Sequence, residues 1–148
     1  MPSLSMTKSQ REAFLADTHV AIISIANGER APLSVPVWYA YDPGQDIRLV
    51  TGGASRKATL LRCSGRLSLC VQTETAPYKY VSVEGPAVIA GEPDYERDVR
   101  AIARRYLGPE MGEMYLQLTA NERIGSVLVR VRPKRWLTVD YTKMALPG

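Results

Sequence analysis

Runs of apolar residues with the length of β-strands recur along most of the chain. Many are rich in valine, isoleucine and aromatic residues and are bounded by glycine, proline, asparagine or aspartate, which is typical of strands separated by turns. The pattern predicts six or seven antiparallel strands, drawn from residues 19–26, 31–41, 46–51, 66–72, 79–90, 126–132 and 136–141.

The second run differs from the others because it contains two prolines. Asn27-Gly28 before it is a strong signal for a two-residue hairpin. Pro32 and Pro36 cannot donate hydrogen bonds to a neighbouring strand. We therefore expect an edge or interrupted strand, with backbone groups near Val35 and Val37 free to contact a ligand.

Helical patterns lie between and before these strands. Thr7 followed by Gln10 resembles a capping box, and Pro93 opens a longer amphipathic segment that ends at residues 108–109. A further helical piece follows, in which Met111 and Met114 are expected to fill the core. These elements favour an α+β fold, a small closed antiparallel barrel with two or three helices outside, as one domain over residues 1–148.

Composition excludes several classes of protein. The net charge of +4 comes from basic residues dispersed among acidic ones, so an anionic ligand fits better than nucleic acid. No apolar stretch approaches the roughly 20 residues of a membrane span, and a cytoplasmic protein without membrane partners is expected. Cys63 and Cys70 are too few for a zinc site or disulfide framework, so no metal is expected, and His19 has no partner motif for nucleophilic catalysis.

The segment at residues 51–58 carries the strongest chemical signal. An apolar strand leads into two glycines, then Ser55, Arg56 and Lys57 open a short helix. Glycines permit close approach of the backbone to an anion, and Ser55 can cap a helix whose N-terminal amides attract phosphate. The residues alone equally allow an ordinary helix start with solvated basic side chains.

The order of motifs resembles the flavin-binding split-barrel superfamily, which contains pyridoxamine 5'-phosphate oxidases (PNPOx) and deazaflavin-dependent reductases. The similarity covers about residues 10–141 and rests on TGGASRKATLL at 51–61, on Arg66-Leu67-Ser68-Leu69, and on Val83-Glu84-Gly85. It implies a PNPOx-like FMN-binding split barrel that forms homodimers with cofactor sites at the interface.

The resemblance also implies the site. In this family the basic pair of the loop, here Arg56 and Lys57, binds the cofactor phosphate. An earlier strand, matched here by residues 34–39, lies along the ring of the cofactor. Tyr80 and Trp136 are weaker candidates from either subunit, and one of Trp38 and Tyr39 is expected to enter the core. The predicted cofactor-binding residues are Ser34, Val35, Pro36, Val37, Trp38, Thr51, Ser55, Arg56, Lys57, Ala58 and Gln72.

Departures from the oxidases guide the choice of cofactor. The chain lacks their Arg-x-x-Leu-Leu-Lys pattern and their terminal arginine-histidine motif, which argues against pyridoxamine oxidation. The resemblance instead implies a reductase that uses coenzyme F-420 to deliver a hydride to an electron-poor small molecule, with a basic groove from Lys57 to Arg62. The proton donor is open among Tyr39, Tyr80 and water. FMN remains the alternative cofactor. Two other functions also remain open. One is a non-catalytic protein that binds a cofactor or haem, and the other is a nucleic-acid-binding barrel that uses Arg130, Arg132 and Lys134.

Overall fold

A computed structural model describes residues 3–144 of the chain. Seven strands lie in this range: β1 (Ala21–Asn27), β2 (Arg30–Val37), β3 (Ile47–Gly52), β4 (Arg66–Gln72), β5 (Lys79–Ile89), β6 (Ser126–Val131) and β7 (Arg135–Asp140). They match the predicted runs closely, except that the second strand ends at Val37 instead of residue 41. Beyond it Ala40 forms only an isolated bridge with Arg48.

All strand pairs are antiparallel and form one curled half-barrel sheet. The strands follow the order β2-β1-β4-β5-β6-β3, and β7 joins through β5. The predicted edge position of β2 is therefore confirmed. The hairpin turn is shifted by one residue, because Asn27 pairs with Arg30 and leaves Gly28 and Glu29 as the turn.

Strand β5 belongs to both halves of the curled sheet. Its first part, to Glu84, pairs with β7, and its last part, from Ala87, pairs with β6. Gly85 lies between the two parts, where a Cβ atom would fall 1.8 Å from the carbonyl oxygen of Arg132. Only glycine permits this close backbone approach, which gives the predicted Val83-Glu84-Gly85 motif a structural role.

Four α-helices lie outside the sheet in the described range, against the two or three expected. They are α1 (Lys8–Ala16), α2 (Arg56–Ser64), α3 (Ala101–Leu107) and α4 (Pro109–Leu118), with a π-helical turn at Tyr95–Arg100 leading into α3 and a 3-10 turn at Tyr141–Lys143. The predicted capping box of Thr7 and Gln10 begins α1. Both partners of the box are hydrogen-bonded, which satisfies backbone donors that the first turn leaves free.

The core lies inside the curl of the sheet and beneath α1 and α2. Its fully buried members alternate along the strands, as in Ile23 and Ile25 of β1 and Leu69 and Val71 of β4. The prediction for α4 was wrong: Met111 and Met114 are 63% and 60% exposed. Their spacing is helical, but α4 packs on α3 through Gly112 and Leu116 instead. Cys70, expected in the core, is only half-buried on the outer face of the sheet.

Within residues 3–144, none of the helices is long and apolar enough to cross a membrane.

Candidate functional site

The loop at residues 52–55 between β3 and α2 is held by several hydrogen bonds. The Gly53 amide donates to the carbonyl of Gly125 at 2.9 Å, and Arg62 Nη1 donates to the carbonyl of Gly53 at 2.7 Å. A Cβ atom on Gly53 would lie only 2.7 Å from the Gly125 oxygen. The loop is therefore fixed before any ligand arrives, and Arg62, predicted to line a basic groove, is occupied in holding it.

The N-terminus of α2 follows this loop. Ser55 caps the helix, as predicted, with its hydroxyl accepting a hydrogen bond from the Ala58 amide at 3.2 Å. The same hydroxyl lies 3.2 Å from the Thr51 hydroxyl. The first amides of a helix have no intrahelical acceptor, so Arg56 and Lys57 present backbone donors at the positive end of the helix dipole.

The two cations at this helix start have different surroundings. Arg56 is exposed and donates one hydrogen bond to Asn27 Oδ1 at 2.7 Å, next to the β1–β2 hairpin. Lys57 is half-buried, and its amine has no hydrogen bond or ion pair with any residue between 3 and 144. A free ammonium beside free helix amides is an arrangement that fits a phosphate group.

Strand β2 presents two kinds of residue. Ser34 and Pro36 point outward, and Ser34 shares a hydroxyl contact of 3.1 Å with Ser24. Val35 and Val37 pack against the core. Only the backbone of the two valines is therefore available to a ligand along this edge, whereas the side chains of Ser34 and Pro36 are accessible.

Of the two aromatic residues after β2, one enters the core and the other does not, as expected. Tyr39 is fully buried, and its hydroxyl donates to the carbonyl of Leu15 at 2.6 Å. Burial also raises the pKa of Tyr39 far above its usual value, and its position in the core, with the hydroxyl bonded to a carbonyl, disfavours Tyr39 as a proton donor to a ligand. Trp38 instead stacks on Tyr106 with ring centroids 5.0 Å apart and lies 5.4 Å from the Tyr115 ring.

A small cavity of about 150 Å³ lies beside Trp38, beneath α3 and α4. Its lining includes Trp38, Val50, Thr51, Tyr115, Leu116 and Arg123. Thr51 belongs both to this lining and, through Ser55, to the capped start of α2. The structure thus brings the aromatic cavity and the loop together at the end of β3.

Gln72 does not join this group within one chain. It lies at the end of β4, opposite Tyr80, whereas the contact of Arg56 with Asn27 lies at the far end of the neighbouring strand β1. At roughly 3.3 Å per residue these positions are about 23 Å apart. Gln72 and Tyr80 therefore lie away from the start of α2 within one chain.

Several residues of this region were not singled out by the sequence. Tyr106 packs on Trp38 and donates to the carbonyl of His19 at 2.6 Å. Tyr115 and Arg123 come from α4 and the segment after it. Tyr106 and Tyr115 lie in segments that the sequence predicts to be helical, but a helical pattern does not reveal which strand it covers.

The single histidine and the half-buried cysteine show no sign of catalytic activation. His19 stacks on Phe14 and donates from Nε2 to the Phe14 carbonyl, and burial lowers its pKa. Burial raises the pKa of the Cys70 thiol, which disfavours the nucleophilic thiolate. Within the range that the structure describes, no group of three potential metal ligands is present.

Known proteins share both sequence and fold with this chain. Residues 7–140 match the family model described as pyridoxamine 5'-phosphate oxidase. An F-420H2-dependent biliverdin reductase of Mycobacterium tuberculosis is 32% identical over 99 residues, which are 66% of this chain and 70% of the relative.

Two solved structures extend the comparison to the fold. The conserved hypothetical protein Rv2991 of Mycobacterium tuberculosis superposes with a TM-score of 0.76 at 24% identity, covering 100% of this chain and 96% of that one. An F-420 reductase superposes with a TM-score of 0.62 at 18% identity, covering 93% and 98%. The family model spans the loop, the aromatic cavity and every strand described above, and the chain belongs to the pyridoxamine 5'-phosphate oxidase family of split barrels.

Proposed function

We propose that this protein is an oxidoreductase that binds the deazaflavin coenzyme F-420 and transfers a hydride to an electron-poor small molecule. The observation that carries the proposal is the Lys57 amine at the capped start of α2, which has no hydrogen-bond or ion-pair partner among residues 3–144. The Trp38 cavity adjoins the same helix start through Thr51, which contacts Ser55. A phosphate held at the helix would leave the rest of a cofactor within reach of that cavity.

The choice of F-420 over FMN is supported by the 32% identical relative, which is named for its use of reduced F-420. A phosphate at the helix start suits both cofactors, so the loop geometry alone does not separate them. FMN is therefore the second candidate, and the titration below compares the two directly.

The residues of the chain would bind the cofactor and orient it. Arg56, Lys57 and the first amides of α2 would hold the phosphate, and the exposed edge of β2 would align the ring. Trp38, stacked on Tyr106, forms a flat apolar wall that excludes water from one side of the cavity. When bound, the cofactor supplies the hydride chemistry. We assign no proton donor among the side chains.

We further propose a homodimer that covers the outer face of the sheet. Pro36, Ile22, Cys70, Ser82 and Leu137 lie in register across five strands. Ile22 and Leu137 are 44% and 62% exposed, so the row is largely apolar and open to solvent. A second copy would bury it and could bring its own Gln72 and Tyr80 to the site. Sedimentation equilibrium should give twice the chain mass of 16.4 kDa, and a monomer would contradict the proposal.

The test of function is a titration with oxidised F-420 and, separately, with FMN, following the fluorescence of Trp38 and Trp136. We expect preferential binding of F-420. Lys57→Ala should weaken that binding by about 30-fold, because it removes a charge-assisted contact from a half-exposed position without disturbing the core. Lys8→Ala, which removes an exposed lysine from α1, is the matched control and should bind normally.

The outcomes separate the alternatives. Tighter binding of FMN would make the protein a flavoprotein, and binding of F-420 without turnover of any acceptor would make it a cofactor carrier. Unchanged affinity in a folded Lys57→Ala protein would remove the phosphate assignment. Binding of neither cofactor would reject the redox function.

A further inference from the structure

A second cavity, of about 550 Å³, lies at the other end of β3. It is formed where α1, the turn before β3, the π-helical turn, β6 and β7 meet. None of the cofactor-site residues discussed above lines it, apart from the weaker candidate Trp136. Its basic lining residues are Lys8, Arg11, Arg48, Arg97, Arg130 and Arg132, against the two carboxylates of Glu12 and Asp46.

Only some of these cations have a carboxylate partner. Arg48 is buried and pairs with Asp98 at 3.2 Å and with Asp42 at 3.5 Å. Arg132 lies 3.8 Å from Asp46. The other four, Lys8, Arg11, Arg97 and Arg130, have no carboxylate within 4.0 Å in the described part of the chain. The cavity therefore contains an excess of positive charge that the fold does not neutralise.

Two details show how the unpaired charge is arranged. Arg130 lies directly opposite Arg48 in the β3–β6 register, but the two carboxylates there, Asp98 and Asp42, pair with Arg48 and not with Arg130. Arg11 stacks over the Trp136 ring at 4.6 Å, and its Nε atom is buried without a hydrogen-bond partner among residues 3–144. A buried donor without a partner is costly, so holding Arg11 in this position lowers stability.

We propose that this cavity binds a small polyanion with adjacent phosphate groups, of the pyrophosphate or triphosphate type, at a site separate from the α2 loop. Four cations from three parts of the chain, none of them paired with a carboxylate of residues 3–144, match closely spaced negative charges better than a single phosphate. The Trp136 ring is already covered by Arg11, so the site would recognise the phosphate chain and not an aromatic base.

The test uses inorganic tripolyphosphate and inorganic phosphate as probes, titrated calorimetrically into the full-length protein without divalent cations. We expect one tripolyphosphate per chain, bound at least about tenfold more tightly than phosphate. The double variant R97Q/R130Q should lose about tenfold or more of the tripolyphosphate affinity. Both side chains are exposed, so the fold should persist, which a thermal melt would check. Arg66→Gln, an exposed arginine outside the cavity, is the matched control.

The following results would overturn the proposal. The first is absence of tripolyphosphate binding up to about 1 mM, or equal binding by the double variant. The second is competition between tripolyphosphate and F-420, which would make the cavity part of the cofactor site. The third is tighter binding of a single-stranded oligonucleotide that the same double variant abolishes, which would assign the surface to nucleic acid. Because the readout is polyphosphate binding, this proposal can fail while the F-420 function stands, and the reverse.

Discussion

The two ends of strand β3 offer anions different kinds of environment. The C-terminal end leads into the start of α2, which offers backbone amides, the capping Ser55 and Lys57. The hydrogen bond from Gly53 to Gly125 holds the loop there. At its N-terminal end, the positive charge sits on long side chains from α1, the π-helical turn and β6. The first environment is fixed by the backbone, and the second is assembled from flexible side chains.

This difference has consequences for selectivity. Fixed amides favour one phosphate in one orientation and lose little entropy on binding. Arginine and lysine side chains must be ordered by the ligand, so they select for charge density more than for shape. The buried pair of Arg48 and Asp98 lies between the two regions, because Arg48 lines the basic cavity and Asp98 lines the aromatic one.

The largest effect, on stability, is expected when the ion pair between Arg48 and Asp98 is broken. Asp98→Asn leaves Arg48 with the solvent-exposed Asp42 as its one carboxylate partner among residues 3–144, and should lower the free energy of unfolding by about 3 kcal/mol. Asp42→Asn is the control, since Asp42 is 74% exposed and should cost less than about 1 kcal/mol. Urea unfolding at fixed protein concentration measures both. Equal effects of the two variants would mean that burial of the pair is unimportant.

A smaller and more local effect is expected at the loop. In Gly53→Ala the new methyl group would lie 2.7 Å from the Gly125 oxygen, so the loop must shift, and F-420 affinity should fall by about tenfold. In Gly52→Ala the nearest atom would be 3.8 Å away, and binding should persist. Tripolyphosphate affinity should be the same in both variants. A parallel loss of both ligands in Gly53→Ala would show that the two ends of β3 are not independent.

Local patterns predicted most of the fold and the centre of the site. Strand β4 begins and ends where the sequence indicated, because apolar alternation and the flanking glycine and threonine act over a few residues. Ser55 caps α2 for the same reason, since the capping hydroxyl and the Ala58 amide that donates to it are only three residues apart.

Contacts between distant parts of the chain could not be predicted in this way. The helical spacing of Met111 and Met114 indicated an apolar face but not whether anything covers it. Arg130 and Arg132 fall in one predicted strand, yet only the topology brings Arg11 and Arg97 to the same cavity. The buried Arg48 and Asp98 pair likewise joins residues whose separation in sequence hides their proximity.

The bond between Gly53 and Gly125 also bears on the order in which the protein is made. Gly125 leaves the ribosome nearly half a chain length after Gly53, and β6, the partner of β3, comes later still. Closing so long a loop is slow relative to forming local turns. During synthesis α2 can form early, but the loop that precedes it acquires its final shape only when the last strands are in place.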